Sequence, residues 1–181
     1  MNYINKGKRD VIIIPEFSNV QVIEEIREKY DELYGIVPPH ITLAFPFDSN
    51  IPDDILKSRL TEIAADFKPF KIRLKGISFA LDKRVDIYYI FLDFIEGEEK
   101  IKALHKRIYK EILREELTFD YRPHITLGCT KEKIDLSLDE EFESTVDQLS
   151  VELIGENEES NIIIRVGLSG INRTEKRNFQ S

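Results

Sequence analysis

Apolar positions along this 181-residue chain change period several times, and each change marks an element. Asp10-Val11-Ile12-Ile13-Ile14-Pro15 is brief, apolar and β-branched, which predicts a short strand buried on both faces. Val22, Ile23, Ile26, Tyr30, Leu33 and Tyr34 then recur at helical spacing, with Ser18 or Asn19 as candidate cap and Gly35 as candidate stop. Val37-Pro38-Pro39 ends any helix and extends the backbone into a strand from His40 to Phe47. Pro52 in a first helical turn, followed by Ile55, Leu56, Leu60, Ile63, Ala64 and Phe67, predicts a second amphipathic helix that ends before Pro69.

Phe70, Ile72 and Leu74 alternate with Lys71, Arg73 and Lys75, as in a half-exposed strand. The phase shifts at Gly76, a candidate bulge, so that Ile77, Phe79 and Leu81 become the apolar set. Asp82-Lys83-Arg84 turns into a central strand from Val85 to Phe94. The order then begins again. A long helix is expected over Glu98 to Leu117, a strand after Tyr121-Arg122-Pro123, and a weaker helix over Asp139 to Gln148. A hairpin of Ser150 to Ile154 and Ile162 to Leu168 follows, turning through Gly155 to Glu159, and the polar tail 171–181 should be frayed.

The repeat extends to identity. Pro39-His40-Ile41-Thr42-Leu43 returns as Pro123-His124-Ile125-Thr126-Leu127. At roughly 6% chance agreement per position, two identical pentapeptides would arise in about one chain of this length in a hundred. A duplication is the simpler account. It implies an α+β fold: a single domain over 1–181, a bilobal pseudo-twofold duplication whose lobes are roughly 8–82 and 83–170. Two antiparallel sheets would face a central cleft, with helices on their outer faces.

Side chains alternate along a strand, so His40 and Thr42 share one face, His124 and Thr126 share another, and Ile41, Leu43, Ile125 and Leu127 turn inward to anchor the strands. An imidazole and a hydroxyl about 7 Å apart would project from each strand into open space. Brought together about a twofold axis, they supply an acid, a base and two hydroxyl donors. Phosphodiester displacement needs that set: one neutral imidazole to take a proton, one protonated imidazole to give one, and hydroxyls to hold the phosphoryl oxygens.

Composition narrows the substrate. Cys129 is the only cysteine, so no internal disulfide and no thiolate metal cluster can form. The formal charge of -8 disfavours extended nucleic-acid binding, so any nucleic-acid chemistry would need a local basic patch or a small substrate. No apolar run is long enough to span a membrane and the polar start lacks a signal-peptide block, so a cytoplasmic protein without membrane partner is expected.

His40-Ile41-Thr42-Leu43-Ala44-Phe45 and its second copy resemble the paired motifs of the 2H phosphoesterase superfamily, which includes 2′-5′ RNA ligase-like enzymes and RNA 2′,3′-cyclic phosphodiesterases. The resemblance covers nearly the whole chain. It implies a bilobal fold, hydrolysis of a 2′,3′-cyclic phosphate or related 2′-5′ phosphodiester on a small nucleotide or RNA end as the expected partner, and no metal or other cofactor. It makes His40 and His124 the catalytic acid-base pair and Thr42 and Thr126 the phosphate holders; of the two possible assignments, our own choice is His40 protonating the leaving oxygen and His124 activating water. Cys129 stands where many RNA-processing members carry arginine. The alternative is a nucleotide or RNA-end binding module with little turnover, and a two-histidine metal site is a third reading.

Other residues receive weaker assignments. Arg122 is a phosphate-binding candidate or a surface arginine. Tyr88 and Tyr89 lie on alternate faces of a strand, so one of them could stack a base. Lys71, Arg73 and Lys75 form the best basic stripe. Phe45 and Phe47 are expected in the core if their strand stays regular, Cys129 as a buried small residue, and His105 in a rim or half-buried structural role.

Overall fold

A computed structural model describes residues 7–48, 50–155 and 159–170. Eight strands form among them: β1 (Lys8–Ile13), β2 (Ile41–Phe47), β3 (Phe70–Asp82), β4 (Ile87–Glu96), β5 (His124–Thr130), β6 (Glu141–Val146), β7 (Gln148–Ile154) and β8 (Ser160–Gly167). The helices are α1 (Val20–Tyr30), α2 (Asp53–Ala64) and α3 (Glu98–Arg107), the last continued by a π-helical turn over Ile108–Leu113. The strands make two four-stranded antiparallel sheets, ordered β2-β1-β7-β8 and β5-β4-β3-β6. The expected α+β fold of two antiparallel sheets is what the chain adopts.

The lobes are not the two sequence halves. β3 and β4 are consecutive strands joined by a tight turn, Asp82 pairing with Ile87, so they form a hairpin within one sheet, and the chain passes 82/83 without leaving it. β7 then returns to pair with β1. Each histidine strand is an edge strand, and β2 and β5 come into contact with each other. The helices cross over as well: α1 packs on β5 and α3 on β2, so each motif strand is backed by a helix from the other half of the chain. Ile41, Leu43, Ile125 and Leu127 are fully buried in one hydrophobic cluster that runs through both sheets.

Three expectations need correction. The segment expected to be helical over Asp139 to Gln148 holds strand β6. Phe142, Ser144 and Val146 point inward while Glu141, Glu143 and Thr145 face solvent, a period of two that pairs with β3. The helix expected to reach Leu117 stops at Leu113, where Arg114 takes a left-handed φ of 58°. The helix expected to reach Gly35 closes at Tyr30, its last turn held by buried Arg27, which bonds Asp31 at 2.8 Å and donates to the Val37 carbonyl at 2.6 Å. That second bond fixes the approach to Pro38-Pro39-His40. The phase shift at Gly76 is present: the β3–β4 register slips between Leu74 and Ile77, with Gly76 at φ 82°. β7 and β8 pair as the expected hairpin. Residues 156–158 of its turn and the tail 171–181 lie outside the described residues.

Candidate active site

Both motif histidines make the same local bond. His40 Nδ1 lies 2.9 Å from the Pro38 carbonyl, and His124 Nδ1 lies 2.8 Å from the Arg122 carbonyl. A carbonyl only accepts, so each Nδ1 carries the proton and each Nε2 is the atom left to take or give one. Both accepting carbonyls belong to a residue that precedes a proline and is therefore held extended. The local geometry follows from the repeated Pro-His pair.

Their surroundings differ. His124 stacks on Phe91 at 3.7 Å between ring centroids, and Phe91 is followed along the same face of β4 by Tyr89 at 6.2 Å. Burial pushes the His124 imidazole below its ordinary value; the bond to the Arg122 carbonyl opposes this, the Arg122 charge adds to it, Asp93 opposes it, and His40 adds to it. Asp93 pairs across the strands with His124, and its carboxylate holds Arg122 at 2.7 Å together with the Ser78 hydroxyl at 2.9 Å.

His40 and Thr42 instead line a cavity of about 240 Å³ with Asp10, Glu152, Leu33, Val37, Phe45, Pro46 and Ile154. Asp10 and Glu152 are direct cross-strand partners on β1 and β7 and are only 5% and 3% exposed. Burial, and then the neighbouring Glu152 carboxylate, push Asp10 up to about 8, so Asp10 keeps its proton near neutrality. Asp10 Oδ1 meets no N–H or O–H donor among the described residues.

Phe45 is not in the core. The β1–β2 register slips on both sides of Ala44, which puts Ala44 and Phe47 inward and leaves Phe45 42% exposed on the cavity, edge-on to Phe119 at 5.6 Å. His105 is more deeply placed than expected. It is buried, donates from Nδ1 to the Leu43 carbonyl at 2.7 Å and stacks on Tyr121 at 3.6 Å. Tyr121 donates to the Thr42 carbonyl at 2.8 Å, and the Phe45 N–H donates to the Tyr109 hydroxyl at 3.3 Å. Side chains from the second half of the chain therefore hold the outer edge of β2. β5 is held differently: Gly128, at φ 136°, lies so close to the Tyr30 backbone that a Cβ would overlap it.

The basic stripe is largely neutralised. Lys71 pairs with Glu143 at 2.8 Å, and Arg73 pairs with Glu141 and with Glu96 at 3.3 Å. Tyr88 sits one position from Tyr89 and so on the opposite face of β4. Cys129 is half-buried beside the end of α1, its thiol pushed up by burial and then by Glu32 and Asp31. Among the described residues no group of three or more His, Cys, Asp or Glu side chains gathers to hold a metal, and no helix is long and apolar enough to cross a membrane.

The family model described as the 2′-5′ RNA ligase superfamily matches residues 15–154, most of the chain and both histidine strands. The chain belongs to that superfamily. Among the relatives of this superfamily member is a Bacillus pumilus protein named "Putative phosphoesterase", 29% identical over 122 residues that span 67% of this chain and 69% of the relative. A Geobacillus thermodenitrificans protein of the same name is 29% identical over 67% and 68%. Among solved structures, TT0787 of Thermus thermophilus superposes with a TM-score of 0.66 at 16% identity, covering 90% of this chain and 98% of that one. E. coli LigT in complex with NADP+ superposes with a TM-score of 0.59 at 15% identity, covering 90% and 98%. LigT has also been solved with 3′-AMP and with ATP. At these identities the structural neighbours establish that the superfamily member shares their fold.

Proposed function

We propose that this protein is a phosphoesterase that opens a 2′,3′-cyclic phosphate, or a related 2′-5′ phosphodiester, on a small nucleotide or RNA end, using His40 and His124 as its acid-base pair. The observation that carries the reading is the matched pair of Nδ1-to-carbonyl bonds, which give two histidines on contacting edge strands the same tautomer and leave both Nε2 atoms for chemistry. His124, whose burial favours the neutral form, takes a proton from water as the water oxygen bonds to phosphorus. The bond from phosphorus to a ribose oxygen breaks, and His40, protonated at Nε2, gives its proton to that oxygen. Thr42 and Thr126 donate to the non-bridging oxygens as their charge grows. These side chains account for both proton transfers without a metal.

The nucleotide class is supported by the LigT complexes with 3′-AMP, ATP and NADP+ and by the phosphoesterase names of the relatives. Tyr89, in line with Phe91 and His124, is the stacking candidate for a second base of a 2′-5′ linked substrate. Arg122, held by Asp93 and Ser78, lends positive charge beside His124. The test is hydrolysis of 2′,3′-cyclic nucleotides with EDTA present. His40→Ala and His124→Ala should each lose about 10² to 10⁴ in rate. Activity that survives unchanged in both variants removes the pair from the chemistry, and tight nucleotide binding with no product by phosphorus NMR would make the protein a binding module.

A further inference from the structure

The cavity beside His40 has features that phosphoryl transfer does not use. Its wall is apolar, with Phe45 and Ile154 among its lining, yet Asp10 and Glu152 also line it, side by side and almost wholly buried. Burying two acids is costly, and one oxygen of the pair, Asp10 Oδ1, is given no donor by the protein among the described residues. Packing alone would favour an aliphatic pair here. An unpaired acceptor at the bottom of an apolar slot is instead how a small-molecule site fixes the orientation of its ligand.

The proposed chemistry says which part of a ligand arrives there. If His40 protonates the departing ribose oxygen, the ribose lies on the His40 side of phosphorus and water enters from the His124 side. The base on that ribose then has the cavity next to His40 and Thr42 as its nearest enclosed space. About 240 Å³ is enough for a base with part of its sugar, and Phe45 offers it an aromatic wall.

We propose that this cavity is a base-reading subsite in which Asp10 and Glu152 accept a hydrogen bond from the exocyclic amine of a nucleobase, so that the protein prefers amine-bearing bases such as adenine and cytosine. With Asp10 protonated, its hydroxyl donates to the neighbouring Glu152 carboxylate and its carbonyl oxygen, Oδ1, is left as an acceptor. An N–H of the base satisfies it; a base with no such donor leaves it bare or turns a carbonyl toward it. The subsite rests on the phosphoesterase reading for which part of the ligand enters it, while the buried acceptor and the apolar wall stand independently of that reading.

The experiment compares 2′,3′-cyclic AMP with the 2′,3′-cyclic phosphate of purine riboside, which is adenosine without its 6-amino group. The wild type should favour the amine by roughly 10- to 100-fold in kcat/KM, the discrimination expected when a buried polar group loses its partner in a site still partly open to water. In Asp10→Leu, which removes the acceptor, that ratio should fall to about 2-fold or less; in Asp10→Asn, which keeps a carbonyl oxygen there and a donor to Glu152, it should persist; and Phe45→Ala should weaken both substrates alike. Equal wild-type rates for the two substrates, or a ratio that persists in Asp10→Leu, overturns the subsite. The same pair is also tested as nucleosides without phosphate, adenosine against purine riboside, by NMR titration of the wild type. If no cyclic phosphate is hydrolysed, the phosphoesterase reading fails and the nucleoside titration alone decides: tighter binding of adenosine supports the subsite, and no difference sinks it.

Discussion

The two histidine strands carry the same five residues and the same carbonyl bond to Nδ1, yet they are set in unlike surroundings. His124 is packed under an aromatic row, Phe91 and Tyr89, with an Asp93–Arg122–Ser78 network beside it. His40 opens onto a cavity lined by the buried Asp10 and Glu152 side chains. What is repeated is therefore a tautomer and a neighbouring hydroxyl, the parts that both halves of the proposed reaction use. The surroundings are what differ, and under the proposed mechanism they separate base from acid and one side of a substrate from the other.

The sharpest way to break this comparison is to remove the hydroxyls while keeping shape. Thr42→Val and Thr126→Val should each lower kcat by about 10², the cost of one donor to a developing oxyanion, with the two variants within about 10-fold of each other. Single-turnover measurement on a cyclic nucleotide checks this. If one variant is silent and the other carries the whole loss, the phosphoryl group rests on one lobe, and the symmetric part of the site is smaller than the repeat suggests.

A smaller effect sharpens the asymmetry. Burial holds the His124 imidazole below its ordinary value, so as pH falls the neutral base persists to a lower pH than a solvated histidine would allow. Phe91→Ala opens the face that Phe91 covers at 3.7 Å and lets water reach the ring. The His124 value should then rise toward the ordinary one, and the acid limb of the kcat/KM profile should move to higher pH. The activity of the variant relative to wild type should fall steadily as the buffer is made more acidic. A limb that stays in place would mean that some other group sets it, and the assignment of His124 as base would go with it.

How much of this was legible in sequence depends on whether the cause is local. The helices, the Gly76 slip and the histidine faces follow from spacing, and the Nδ1 bonds follow from a proline before each histidine. β6 escaped because Glu141 and Glu143 mask a two-residue alternation, and only its pairing with β3 gives Phe142, Ser144 and Val146 a buried side. Phe45 escaped because a register slip beside Ala44 is set by pairing with β1 and has no signature in spacing. Asp10 and Glu152 were visible as charges inside apolar strands, Val151-Glu152-Leu153 most clearly, but their meeting depends on β7 returning to β1 across most of the chain. The partners of His105 escaped for the same reason: Leu43 and Tyr121 reach it only through the crossing of α3 onto β2.

That crossing supplies the last and smallest test. β2 is an edge strand, and its outer carbonyls at Thr42 and Leu43 are taken by Tyr121 and His105, whereas β5 is held by the close approach of Gly128 to α1. Tyr121→Phe keeps the ring that stacks on His105 and deletes only the donor to the Thr42 carbonyl. The lost bond should cost about 1 kcal/mol of stability, read as a lower urea midpoint with an unchanged slope. Because the carbonyl belongs to the residue whose hydroxyl is assigned to the phosphate, kcat should fall a few-fold beyond what the stability loss explains at temperatures where the variant is fully folded. A variant with wild-type kcat would show that β2 does not need the Tyr121 bond to hold Thr42 in place.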